Sequence, residues 1–292
     1  MNYFAQKVEV IAKMQRFLND YSFNEVHTSV LRRDEGDLIK RIKLEENFTY
    51  ALRDSHELQL RYLLTEFDSV YEIGSCFRYE TEDKSKTNLS EFTLMELFTS
   101  RYNLLQIQEL VRKFILSVKP DTIFDEISIA DYIKENIGID LMKEPQQLLY
   151  DYLKKRYADN LFENDYKYVL QYIEDTIEPL SHGKVVFLTD YPECTCSYAN
   201  IKSGDVIERF ELFANGLELA NGFADECNAA RFKARNKALP IFPQEEKVIA
   251  EALENAKLPS ASAGVGIGIE RLCMFLFNVN DINAFSLNLK IF

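Results

Sequence analysis

The chain contains no run approaching the roughly 18 to 20 consecutive apolar residues that span a bilayer. Its N-terminus, MNYFAQKVEV, also lacks the basic, then apolar, then small-residue order of a secretory signal. A cytoplasmic protein with no membrane partner is expected. Cysteine is sparse and odd in number: Cys76, Cys194, Cys196, Cys227 and Cys273 are scattered apart from one C-x-C pair, which matches neither zinc-finger nor thioredoxin spacing. Ordinary reduced thiols are expected. Basic charge is in deficit as well, with 34 Lys and Arg against 47 Asp and Glu, and the resulting net charge of −13 repels a polyanion over the whole surface. Repeats and low-complexity segments are missing too, and a composition of 47% hydrophobic residues is rich enough to bury a large core, so one globular domain over residues 1–292 is expected.

Phe4, Val8, Ile11 and Leu18 recur at helical spacing, so the chain is expected to open with an amphipathic helix. His56 to Leu64 reads as a second helix and Val70 to Arg78 as a strand, followed by a polar, exposed loop from Glu80 to Ser90. A strand over Phe92 to Phe98 would put Phe92, Leu94, Glu96 and Phe98 on one face. Leu104, Ile107, Val111, Phe114 and Val118 mark a long helix, and residues 120–180 read as mainly helical, with turn signals at Gly138 and Pro145. Strands are expected over Lys184 to Thr189 and Ile207 to Phe213, the latter turning at Asn215-Gly216 into Leu217 to Phe223. A helix over Glu245 to Lys257, a glycine-rich strand and a last helix near Glu270 complete an α+β pattern with a mostly antiparallel sheet flanked by helices.

The hairpin carries the most chemistry. A two-residue turn pairs Ala214 with Leu217, Phe213 with Glu218 and Glu211 with Ala220, so that Glu211 and Glu218 become diagonal neighbours. Such positions lie roughly 7 to 8 Å apart, close enough for two carboxylates to share Mg²⁺ with substrate phosphates, or simply to lie on a solvated sheet face. Gly264, Gly266 and Gly268 do not form a dinucleotide fingerprint, because position 269 is Ile where the third glycine belongs. Arg271 follows in the first turn of a helix, where a cation is unfavourable; either an anionic ligand or a nearby acid such as Glu270 would account for it.

In combination, Phe77-Arg78-Tyr79-Glu80, Glu91 to Glu96 and the stretch GVGIGIER from Gly264 to Arg271 resemble motifs 2 and 3 of class II aminoacyl-tRNA synthetases. The segment ERFELFANGLELANGF, Glu208 to Phe223, is similar to the lysyl branch, and FLTDYPECTCSYANI, Phe187 to Ile201, looks like the truncated paralogues that attach β-lysine to a lysine of translation elongation factor P. The resemblance implies a class II catalytic fold without an anticodon-binding domain, working as a homodimer, with ATP as substrate, Mg²⁺ as cofactor, lysine or β-lysine activated, elongation factor P as acceptor and tRNA disfavoured.

By the same resemblance, Arg78 grips the α-phosphate, Glu80 and Leu212 contact ATP, Phe92 stacks on adenine, Gly268 lies against the nucleotide and Arg271 takes the γ-phosphate. Glu211 and Glu218 hold Mg²⁺; Ser55, Glu57, Glu96, Phe98, Glu218, Asn221 and Gly266 face the amino acid. Strict alternation puts Asn221 opposite in face to Glu218, so a bulge near Gly222 is expected. The chain departs from the pattern in five places, one of them a longer motif 2 loop that offers Leu89-Ser90 where the family has Asn-Pro. His27-Thr28-Ser29 stands where the family has a proline, Phe98 where it has a substrate-touching tyrosine, and Asp225 where it has a glutamate. Gly266 stands where the β-lysine enzymes carry alanine, which implies a methyl-sized space beside the substrate.

Overall fold

The computed structural model describes residues 2–33, 42, 50–79, 86–160, 162–238 and 243–286. The chain opens with helix α1 (Tyr3–Asp20), followed by β1 (Asn24–Glu25), β2 (Leu31–Arg33), β3 (Tyr50–Leu52), α2 (Glu57–Leu63), β4 (Ser69–Phe77), β5 (Glu91–Thr99) and α3 (Leu104–Val118). The middle of the chain contributes β6 (Phe124–Ser128), α4 (Ile129–Ile137), α5 (Gln147–Arg156), α6 (Asp165–Tyr172) and β7 (Val185–Thr189). The last third contains β8 (Ile201–Ser203), β9 (Val206–Ile207), β10 (Arg209–Ala214), β11 (Leu217–Ala224), α7 (Ala229–Ala238), α8 (Pro243–Glu254), β12 (Ala263–Gly268) and α9 (Ile269–Phe277).

Eight strands form one sheet in the order β1-β4-β5-β12-β11-β10-β7-β6. Its interior pairings are antiparallel, and only the outermost strands β1 and β6 lie parallel to their neighbours. The two faces carry different loads. On one, Met95, Leu97, Phe210, Leu212, Val265 and Ile267 pack beneath α1, α3 and α9. On the other, Phe98, Phe213 and Phe223 join a core with α2, α4, α5 and α6. This second face keeps an open cavity over its central strands.

Local chemistry sets the boundaries of these elements. Asn103 and Gln106 form a reciprocal capping box at the start of α3, and Gly138 ends α4 in the left-handed conformation with φ of 85°. Asn215 and Gly216 both take positive φ, 52° and 79°, as a tight hairpin turn requires.

Several expectations need correction. The buried stripe of α1 is Val10, Met14 and Leu18, so of the residues read from the sequence Leu18 and the half-buried Ile11 face the core while Phe4 and Val8 are exposed. Within the region read as helical, Phe124–Ser128 is a strand that extends the sheet beside β7. The helix Ala229–Ala238 is polar, with little apolar periodicity, and was not anticipated. The loop position Glu80 lies outside the described residues.

Candidate active site

The hairpin register decides which side chains can meet. Phe213 pairs with Glu218 as expected, but Leu212 pairs with Ala220 and Glu211 with Asn221. The expected pairing of Glu211 with Ala220 is therefore wrong by one residue: Leu219 is an extra residue on β11, and the bulge lies there rather than near Gly222. Each bulge residue reverses the alternation that follows it. Glu218 and Asn221 consequently share one face with Arg209 and Glu211.

That face lines a cavity of about 440 Å³, bounded by the central strands, by the turn preceding α2 and by Thr87–Leu89. It brings together Ser55, Glu57, Arg78, Phe92, Glu96, Phe98, Glu218, Asn221, Gly266, Gly268 and Arg271, residues drawn from widely separated parts of the sequence. Two predicted residues stand apart. Leu212 points its buried side chain into the core on the opposite face of β10, which leaves only its backbone for a nucleotide. Glu211 lies behind the wall, where Tyr191 donates to its Oε2 at 2.7 Å and Arg209 pairs with its Oε1.

The cavity has a basic end and an acidic end. At the basic end the Arg78 guanidinium lies 5.1 Å from the centre of the Phe92 ring, and its Nε donates to the Asp54 carbonyl at 3.2 Å. Arg271 donates to the Thr87 carbonyl at 3.1 Å and to Asn88 Oδ1 at 2.9 Å, and its charge sits 3.4 Å from Glu218 Oε2. Glu270 does not neutralise Arg271. It pairs instead with Lys7 at 2.6 Å and accepts from the Thr93 N–H, tying α1 and β5 to α9.

At the acidic end, Glu57 is half-buried, but its Oε1 has no contact with water and no hydrogen-bond partner. Burial pushes this carboxyl well above the usual range, and the like charges of Glu96 and Asp225 add to the rise. An orphaned buried carboxylate oxygen on a cavity wall suits a cationic ligand. Phe98 and Phe223 meet edge-on nearby, 6.3 Å between ring centres. Asp225 is turned away into an ion pair with Arg61, 3.2 Å between Nε and Oδ1, and it accepts from Ser262.

The glycines of β12 answer to specific neighbours. A Cβ on Gly264 would stand 2.6 Å from the Phe98 ring, so only glycine fits. On Gly266 it would meet Glu96 Cγ at 3.2 Å, so the space beside this glycine is bounded by a carboxylate rather than empty.

Glu211 and Glu218 remain the donors that could hold Mg²⁺. Burial raises the Glu211 carboxyl, Arg209 opposes this, and the like charge of Glu218 adds to it, a conflict that a divalent cation between the two would relieve. Among the described residues no group of three or more His, Cys, Asp or Glu is placed to cage a metal, so phosphate oxygens would complete the coordination.

Sequence reasoning overlooked Arg209, which bridges Glu211, Asn221 and the Thr195 carbonyl; its i, i+2 spacing to Glu211 on a strand was the available signal. It also passed over His56, whose partners Glu72 and Glu96 are remote in sequence. All five cysteines are free, as expected. Among the described residues no helix is long and apolar enough to cross a membrane.

The chain is similar to known proteins over nearly its whole length. The chain is 29% identical over 96% of its length to a lysine–tRNA ligase of Mycoplasmoides gallisepticum, of which it spans 63%. It is 28% identical, again over 96% of its length, to an elongation factor P–(R)-β-lysine ligase of Avibacterium paragallinarum, of which it spans 94%. A lysine–tRNA ligase of Dehalococcoides mccartyi is 28% identical, and the chain spans 62% of it. The model of the class II tRNA synthetases (D, K and N) matches residues 1–287, and the chain belongs to that family.

Proposed function

We propose that this protein is a ligase that uses ATP to activate lysine or β-lysine as an aminoacyl-adenylate and passes the aminoacyl group to a lysine of translation elongation factor P. The observation that carries this reading is the two-ended cavity. Arg78 and Arg271 offer cations at one end, where Glu218 accompanies Arg271, while Glu57 and Glu96 offer carboxylates at the other. A substrate with both a carboxylate and a distant ammonium fits between them, its carboxylate directed toward the arginines that would hold the nucleotide.

In the first step the amino-acid carboxylate attacks the α-phosphorus of ATP, the bond to the β-phosphate oxygen breaks, and pyrophosphate leaves. No enzyme nucleophile is needed. Arg78 and Arg271 offset the charge that develops on the phosphoryl oxygens, and Glu57 and Glu96 hold the cationic end so that the carboxylate is presented in line. Mg²⁺, held by Glu211 and Glu218, would supply further charge neutralisation on the phosphates. In the second step a neutral acceptor amine attacks the carbonyl carbon and AMP departs.

The acidic surface, with a net charge of −13, favours a protein acceptor over tRNA. The relatives nevertheless include lysine–tRNA ligases at similar identity. Both acceptors can be offered to the purified protein with ATP and lysine. A gain of one lysyl mass by elongation factor P, with no charging of bulk tRNA, is expected. Efficient tRNA charging with an unmodified factor would reverse the assignment of the acceptor.

A further inference from the structure

His56 is fully buried at the start of α2, and each of its ring nitrogens faces a carboxylate: Nδ1 lies 3.0 Å from Glu96 Oε2, and Nε2 lies 3.6 Å from Glu72 Oε1. Its backbone N–H also donates to Glu96 Oε2. The far carboxylate is itself anchored, since Arg53 Nη1 sits 2.6 Å from Glu72 Oε1 and the Thr28 N–H donates to Oε2 at 2.8 Å. Burial alone would raise the Glu72 carboxyl, but His56, Thr28 and Arg53 outweigh it and hold it below its ordinary value. Gly74 makes the stack possible, because a Cβ there would come within 2.4 Å of Arg53 Nη2 and 3.3 Å of His56 Nε2. The Cys76 thiol lies 3.8 Å from Nε2 and 3.9 Å from Nδ1 and is kept protonated by burial, while Glu57, Asp54 and Arg78 add further charges beside Glu96 and Cys76.

Arg53, Glu72, His56 and Glu96 therefore form a buried row that ends at the acidic part of the cavity. One oxygen of Glu96 is held by His56, while Oε1 lies 3.3 Å from where a Cβ on Gly266 would stand. A neutral imidazole carries one N–H and can donate to a single carboxylate, whereas an imidazolium donates to both. The proton on His56 thus decides how much of the Glu96 charge is offset before any ligand arrives.

We propose that His56 is a positioning residue that fixes the orientation and effective charge of Glu96, so that affinity for a cationic amino acid falls when the imidazole takes up a proton. This rests on the reading of the cavity as an amino-acid site. Linkage makes the effect reciprocal: binding of the substrate ammonium beside Glu96 expels the proton from His56.

The test is the pH dependence of amino-acid-dependent pyrophosphate exchange between about pH 5 and 8, the range in which histidine titrates. In the wild type, KM for lysine rises toward the acid end by about tenfold, the scale of a typical coupling between two sites. The kcat and the KM for ATP, which is held at the arginine end, stay nearly level. In His56→Asn the part of the acid rise in KM that needs the imidazole disappears, leaving only what protonation of the raised Glu57 carboxyl contributes. In Glu72→Gln, which keeps the histidine but removes the far carboxylate, the rise begins at a lower pH, and this variant decides the matter if His56→Asn does not fold. Proton NMR gives a second readout: the chain has only three histidines, so a downfield imidazole N–H signal that vanishes in His56→Asn identifies the contact. A KM profile identical in the wild type and both variants would overturn the role of His56 while leaving the amino-acid reading intact. Absence of exchange in the wild type with every amino acid would overturn both.

Discussion

Arg271 shows how a residue gains meaning from position rather than type. It stands in the first turn of a helix, where the dipole disfavours a cation, yet its charge is only partly met, by Glu218 at 3.4 Å. Arg78 is similarly held by the Asp54 carbonyl and the Phe92 ring. Replacing either arginine with alanine should lower pyrophosphate exchange by about 10²- to 10³-fold, as expected for loss of one preorganised charge donor, while thermal unfolding stays close to wild type. Activity within a few-fold of wild type would remove the phosphate role. Gly266 tests the other end of the cavity. An added methyl meets Glu96 Cγ at 3.2 Å and must displace that carboxylate by a few tenths of an ångström. Gly266→Ala should therefore shift the preference for α-lysine over β-lysine toward the β isomer, by roughly 10- to 200-fold if the methyl exerts its usual worth of about 1 to 3 kcal/mol. Equal ratios in the two proteins would show that Glu96 yields without consequence.

At the scale of elements, the hairpin of β10 and β11 organises the site. Its turn depends on Gly216, whose φ is 79° and whose added Cβ would stand 2.8 Å from the His182 ring. Gly216→Ala should destabilise the protein by about 1 to 2 kcal/mol, measured by denaturant unfolding, because a left-handed conformation is costly for any residue with a Cβ. Unchanged stability would mean that the turn relaxes into another type. The turn was legible in the sequence because Asn-Gly has few alternatives. The bulge was legible only as a necessity: Glu218 and Asn221 had to share a face, but nothing local distinguishes Leu219 from Gly222 as the place where alternation breaks. The strand face of β5 was equally readable from period-two spacing. What spacing could not reveal was the exact inner face of α1, where packing against α9 buries Val10 and Met14 with Leu18 and leaves Phe4 and Val8 outside. Nor could it reveal β6, whose pattern is half-exposed and whose partner β7 comes some sixty residues later. The His56 row escaped for the same reason, since its members meet only once β4 and β5 are paired.

For the whole molecule, the sheet acts as a divider. One face is closed by α1, α3 and α9, and the other is left open over β5, β12 and β11, where a cavity gathers cations toward one end and carboxylates toward the other. Under the proposed function one ligand satisfies both ends, because a cationic amino acid brings an ammonium to the carboxylates and a carboxylate to the arginines. The most direct measurement is ATP–pyrophosphate exchange by the purified protein across the standard amino acids and β-lysine. Exchange with lysine or β-lysine well above every other amino acid is the expected result. Exchange driven best by an uncharged or acidic amino acid, or none with any of them, would contradict the account.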